Sequence, residues 1–265
     1  MIQMLRKIPE KYVSETIFGF STEKLPPEEI HGDFFLEMPE RFAAAELPGY
    51  LIGSPVQTDG LISVHATSLM EPGILENLSV EQSGLLRDCI AGIARNIEQL
   101  AAKGVTSGIL DLDFSTIFSS GQKKLYQQIL KGLAFTLERC SFTLLLPFSI
   151  PAASPELLQQ AADFLRNSLL PWVKLRLDIH CHELSPGYDP ETLAGALLHE
   201  VRSVRFLYFA ESGNVLVPEH ILPWIKSLSV YGFRGPCFFT PAAASLNGLP
   251  RWVSENETLL SKIEK

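Results

Sequence analysis

A chain of 265 residues, 46% of them hydrophobic, has material for one large core and no linker-like stretch to divide it, so a single domain over 1–265 is expected. The formal net charge of −8, with no lysine or arginine cluster, excludes a nucleic-acid backbone as an expected partner. No segment reaches the roughly 18 apolar residues of a membrane span, and Met1 to Tyr12 is charged without an apolar run, so neither membrane insertion nor a signal peptide is expected. Cys89, Cys140, Cys181 and Cys237 have no CxxC spacing and read as reduced thiols of a cytoplasmic protein.

The first strand is expected at Thr16–Ser21 and the second at Phe34–Met38, with a short helix over Glu40–Glu46. Leu61–Ala66 is the third strand, with Ser63 and His65 on one face. Ser79-Val80-Glu81-Gln82 has the form of a capping box opening a long helix. That helix carries Leu86, Ile90, Ile93, Ile97 and Leu100 at spacings of three and four and stops at Gly104. The fourth strand, Gly108–Phe114, places Asp111 and Asp113 on one face. A helix over Lys123–Arg139 has a stripe of Leu125, Ile129, Leu133 and Leu137, and Phe142–Phe148 is the fifth strand. Ser154-Pro155-Glu156 opens the next helix, which runs to Leu169.

The sixth strand, Val173–His182, alternates strictly. Val173, Leu175, Leu177 and Ile179 take one face; Lys174, Arg176, Asp178 and His180 take the other. An apolar face under helices and an ionisable face toward a polar interior is the arrangement of a β/α barrel stave. Asp189-Pro190-Glu191 opens a helix to Val201, Val204–Glu211 is the seventh strand, and a helix follows over Pro218–Val230. Pro236–Thr240 is the eighth strand and Leu249–Ile263 a closing helix. Strands alternating with helices, with no hairpin turns between them, predict parallel pairing, and eight such units close into a (β/α)8 TIM barrel.

Several short motifs fall in a telling order. Gly19-Phe20-Ser21 ends the first strand, Ile62-Ser63-Val64-His65-Ala66 forms the third, Leu177-Asp178-Ile179-His180-Cys181 lies in the sixth, and Gly232-Phe233-Arg234-Gly235 precedes the last. This order resembles the xylose isomerase-like TIM barrels, the sugar-phosphate isomerases and epimerases to which endonuclease IV is related. The resemblance implies a barrel that acts on sugars or sugar phosphates, with one divalent metal held by a glutamate on strand five, an aspartate on strand six, a histidine on strand seven and a glutamate on strand eight. The two glutamates would also move the proton. This chain departs from that set: Leu144-Leu145-Leu146-Pro147 has no glutamate, Tyr208 and Glu211 stand on strand seven, and strand eight ends in Thr240. Asp178 alone matches, which is too few anionic oxygens for a hard cation. Neither proline nor threonine supplies a general acid or base.

The ligand-pocket candidates are Glu37, His65, Asp111, Asp113, Arg176, Asp178, His180, Tyr208 and Glu211. No cofactor is expected. A rearranged divalent-metal site is the alternative, drawn from Asp178, His180, His182, Asp113 and His65. Strand positions two apart lie about 6.6 Å apart and can share an ion, whereas positions four apart lie about 13 Å apart and cannot without a bend. The inward charges Lys174, Arg176 and Asp178 need partners, for which Glu37, Asp111 and Asp113 are the candidates, with an Asp178–Arg176 or Asp178–Lys174 pair also open. Two functions follow. One is a divergent sugar or sugar-phosphate isomerase/epimerase-like protein, and the other a non-catalytic barrel that binds a small polar, sugar-like ligand or a protein partner. No run of surface residues marks an oligomer interface.

Overall fold

Eight strands follow one another around a closed parallel barrel. They are β1 (Phe18–Ser21), β2 (Phe42–Pro48), β3 (Ser63–Thr67), β4 (Ser107–Ile109), β5 (Thr143–Ile150), β6 (Val173–His180), β7 (Val201–Leu207) and β8 (Cys237–Phe239). β8 pairs back onto β1 through Phe18↔Cys237 and Phe20↔Phe239, so no edge is left open. The computed structural model describes residues 18–21, 42–48, 63–67, 69–70, 74, 78, 82–111, 114, 122–150, 155–168, 170–180, 198–207, 224–226, 228, 230 and 232–240. The expected barrel is the one observed, and no helix among the described residues is long and apolar enough to cross a membrane.

The helices α1 (Ser83–Ala102), α2 (Lys123–Cys140) and α3 (Pro155–Ser168) pack outside the strands. The stripe read in α1 is buried at Leu86, Ile93, Ile97 and Leu100, and that in α2 at Leu125, Ile129, Leu133 and Leu137. Gly104, at φ 86°, stops α1 and lets the Val105 amide donate back to the Leu100 carbonyl at 3.1 Å. Ser141, at φ 49°, closes α2 in the same left-handed region. The capping box is corrected: the N-cap is Gln82, whose side chain makes no cap bond, and α1 begins one residue after the Ser79–Gln82 motif.

β2 is the largest departure from the sequence reading. Residues 42–48 form a strand where a helix over Glu40–Glu46 was expected, while the expected strand at 34–38 lies outside the described residues. Ala43-Ala44-Ala45 favours a helix intrinsically. The pairings Ala44↔Ser63 and Glu46↔His65 on one side and Ser21↔Glu46 on the other override that preference, because the barrel cannot close without this strand. Alternation then makes sense of the segment: Ala45 and Leu47 join the outer core, whereas Ala44 packs on Phe238 and Glu46 takes part in an ion pair inside the barrel. Val201 likewise belongs to β7 and not to the preceding helix, of which the described part is a short 3-10 turn at Leu198–Glu200. β4 stops at Ile109, so Asp111 follows the strand and is exposed.

The outward faces of β5 and β6 supply much of the core under the helices. Leu144, Leu146, Phe148, Ile150, Leu175, Leu177 and Ile179 are all buried there, at about 1.5–3 kcal/mol for each large side chain. Cys89, Cys140 and Cys237 are free thiols.

The Gly232–Gly235 motif has a physical basis. Gly232 adopts φ 83°, which a side chain disfavours. A Cβ at Gly235 would fall 2.1 Å from the Arg202 carbonyl oxygen and 2.6 Å from the Phe233 ring, so the chain passes too close to β7 for any side chain as it enters β8. Gly235→Ala is expected to cost about 3 kcal/mol, at the upper end for overpacking. Gly232→Ala, with open space around it, should cost only about 1–2 kcal/mol. Urea midpoints test the order; equal losses would show that the backbone yields at 235.

Candidate functional site

Charge inside an apolar shell must be neutralised locally, and four of the described residues do this here. Arg176 and Asp178 stand two apart on β6, so both face inward; Arg205 on β7 is in register with Asp178, and Glu46 comes from β2. β2 and β6 lie four strands apart in a ring of eight, on opposite walls. Arg176 spans this interior, with Nη1 donating to Glu46 Oε1 at 3.4 Å. Its Nη2 donates to Asp178 Oδ2 at 2.9 Å, and its Nε lies 2.8 Å from Oδ1 as an ion-pair contact whose N–H is not aligned on an acceptor. Arg205 approaches the same carboxylate from the neighbouring strand, with Nε donating to Oδ1 at 3.1 Å and Nη2 to Oδ2 at 2.6 Å. Asp178 is therefore clamped by two guanidiniums, and two cations meet two anions. Side-chain exposure is 1% for Arg176, 4% for Asp178 and 8% for Arg205, so Arg205 is the nearest to solvent and Arg176 the deeper of the two arginines.

The two arginines differ electrostatically. Burial alone would lower the pKa of Arg176, but Asp178, Glu46 and Asp111 outweigh it and raise the value above the ordinary range. Burial brings Arg205 down to about 9, still protonated at neutral pH. Two guanidiniums share the Asp178 carboxylate here, and Arg176 also reaches Glu46.

His65, on β3 beside Glu46, is 2% exposed and meets the Phe238 ring edge-on at 5.1 Å between centroids. Burial, then Arg202 and Arg176, push its pKa down to about 3, so the imidazole is neutral. The unfolded imidazole takes up a proton near pH 6.5 and the folded one does not until about pH 3. The His65 contribution is therefore complete above 6.5 and is lost as pH falls from there, by up to about 1.4 kcal/mol per pH unit. Between pH 6 and 4, His65→Gln should show a shallower decline in unfolding free energy than the parent. Parallel declines would mean that the imidazole is solvated.

Of the sequence candidates, the structure brings together Arg176 and Asp178, with His65 within the electrostatic reach of Arg176. His180 ends β6 and is half-buried. Asp111 is exposed beyond β4 yet close enough to raise the pKa of Arg176. Glu37, Asp113, His182, Tyr208 and Glu211 lie outside the described residues. Of the expected pairings of the inner charges, the Asp178–Arg176 pair is observed, Glu46 is a partner of Arg176 that was not expected, and Asp111, the one described residue of the three candidate carboxylates, raises the pKa of Arg176. Lys174 does not reach the centre at all. It sits at the opposite end of β6, bonded to Glu200 at 2.9 Å and to the His199 carbonyl at 3.3 Å. Glu46 and Arg205 were missed as site residues. Charge balance would have pointed to them, since two inward arginines beside one aspartate require a second carboxylate.

The implied divalent metal does not fit what is described. Both oxygens of Asp178 are held by guanidiniums, a dication bound there would touch two fixed positive charges, and among the described residues no group of three His, Cys, Asp or Glu could hold an ion. At the C-terminal ends of the strands, Thr67 and Thr240 carry buried hydroxyls without a hydrogen-bond partner among the described residues.

No protein-family model matches the chain, and no curated protein matches it. Solved structures do. A 3-keto-D-glucoside 4-epimerase from E. coli superposes with a TM-score of 0.66 at 14% identity, over 92% of this chain and 100% of that one. D-Psicose 3-epimerase from Clostridium cellulolyticum H10, solved with D-tagatose, gives 0.63 at 14% identity over 94% and 99%. The IolI protein with a bound zinc atom gives 0.62 at 15% identity over 92% and 98%. The fold of this chain is the TIM barrel of these structures, and a xylose isomerase-like TIM barrel fusion protein is also similar, with a TM-score of 0.55 at 13% identity.

Proposed function

We propose that the protein binds a small polar, sugar-like ligand at the C-terminal mouth of the barrel and does not carry out metal-dependent proton transfer there. The observation that carries this reading is the double clamp on Asp178. The aspartate that matches the fold's metal ligand is turned into an internal ion-pair partner. The mouth retains groups suited to hydroxyls: His180, Asp111 and the buried hydroxyls of Thr67 and Thr240. Tyr208, Glu211, Glu37 and Asp113 are further candidates from the sequence. Structural neighbours are sugar epimerases, one of them solved with D-tagatose and another in the presence of D-fructose, which supports a polyol over an apolar ligand.

The test has two arms. Thermal unfolding is followed against hexoses, pentoses and their phosphates, where a ligand at about 100 times its Kd stabilises by about 2.7 kcal/mol. The same sugars are incubated with the protein in D2O, with and without Mn2+, and deuterium at carbon is read by NMR. The expected result is saturable stabilisation by one sugar class without exchange above the protein-free control. Metal-dependent exchange would instead establish the divergent epimerase.

A further inference from the structure

We infer that Arg205 is the residue that keeps a divalent cation out of this barrel: its guanidinium occupies the cation's place against Asp178. The inference shares the Asp178 clamp with the reading above and holds whether or not a sugar binds. Three observations carry it. Arg205 approaches both carboxylate oxygens from β7, at 3.1 and 2.6 Å, which are the positions through which a metal would be held. It is the more exposed of the two arginines, at 8% against 1%, so a cation entering from the mouth meets it first. Arg176 lies deeper and is anchored independently on Glu46 across the barrel, so it need not move when Arg205 is removed. The guanidinium supplies a fixed single charge against Asp178, and a neighbour of the same fold was solved with a bound zinc atom.

A substitution at this one position should therefore open a metal site. In Arg205→His, a neutral imidazole replaces the guanidinium beside Asp178, and His180 stands two residues further along the same face of β6. Nitrogen and oxygen ligands about 6.6 Å apart along the strand can share one zinc ion.

The experiment is Zn2+ titration by calorimetry, with metal content measured after dialysis, on the full-length parent, Arg205→His and Asp178→Asn. The parent is expected to hold no stoichiometric Zn2+ or Mn2+ and to unfold at the same midpoint with EDTA or with 1 mM Zn2+ added. Arg205→His is expected to bind one Zn2+ per chain at least about 100-fold more tightly than the parent, since each tenfold step needs only about 1.4 kcal/mol. A folded Arg205→His, judged by a native circular dichroism spectrum, with no gain in zinc affinity would overturn the inference. So would one metal ion per parent chain that disappears in Asp178→Asn. Should Arg205→His fail to fold, Arg205→Gln, which also removes the cation beside Asp178, is titrated in its place, and a folded Arg205→Gln with parent-like zinc affinity overturns the inference.

Discussion

Replacing Arg176 by methionine is expected to destabilise the protein by about 3–5 kcal/mol, the range for breaking a buried ion pair from one side. Methionine keeps much of the length and removes the charge that both Glu46 and Asp178 contact. Both carboxylates are almost fully buried, so water cannot replace the lost donors. Lys174→Met on the same strand is the control. Its contact with Glu200 is 29% and 14% exposed, so its loss should cost less than about 1 kcal/mol. The measurement is the denaturant midpoint at unchanged slope. A parent-like midpoint for Arg176→Met would mean that the guanidinium is solvated and that the strand is not an inner stave.

The second large effect is at Asp178. Asp178→Asn preserves shape but confronts two guanidiniums with a neutral amide, and should again cost about 3–5 kcal/mol. The added substitution Arg205→Met should recover part of that loss, because it removes one of the two guanidiniums that face the neutral amide. A coupling of about 1–3 kcal/mol between the two sites is expected for residues sharing one network. Strict additivity in the double-mutant cycle would show that Asp178 and Arg205 do not interact energetically.

These residues also show how far the sequence could be read. β6 was legible because its alternation is strict and its two faces differ so sharply in chemistry. That pattern placed Arg176 and Asp178 inside the barrel, and they are there. The stripes of α1 and α2 were legible for the same reason, since a 3.6-residue period with few interruptions has one structural solution. β2 was not, because an alanine run carries a helical preference and only pairing to β1 and β3 reverses it. With β2 went Glu46, the partner that Arg176 needs on the opposite wall. Such a contact joins residues 130 apart in the chain, and no local pattern records it. Arg205 lay within the expected seventh strand, yet its pairing depends on the β6–β7 register. A bulge between Leu175 and Arg176 shifts that register, and periodicity alone does not reveal the shift.

The central claim, that a guanidinium pair stands at Asp178 in place of a metal, is tested most directly by crystallography. Crystals grown with Mn2+ or Zn2+ in excess would be measured at the metal's absorption edge and an anomalous difference map computed. The predicted result is no anomalous peak within bonding distance of Asp178, with Arg205 Nε and Nη2 still donating to its two oxygens. A peak coordinated by Asp178, with Arg205 swung away from the carboxylate, would contradict the account.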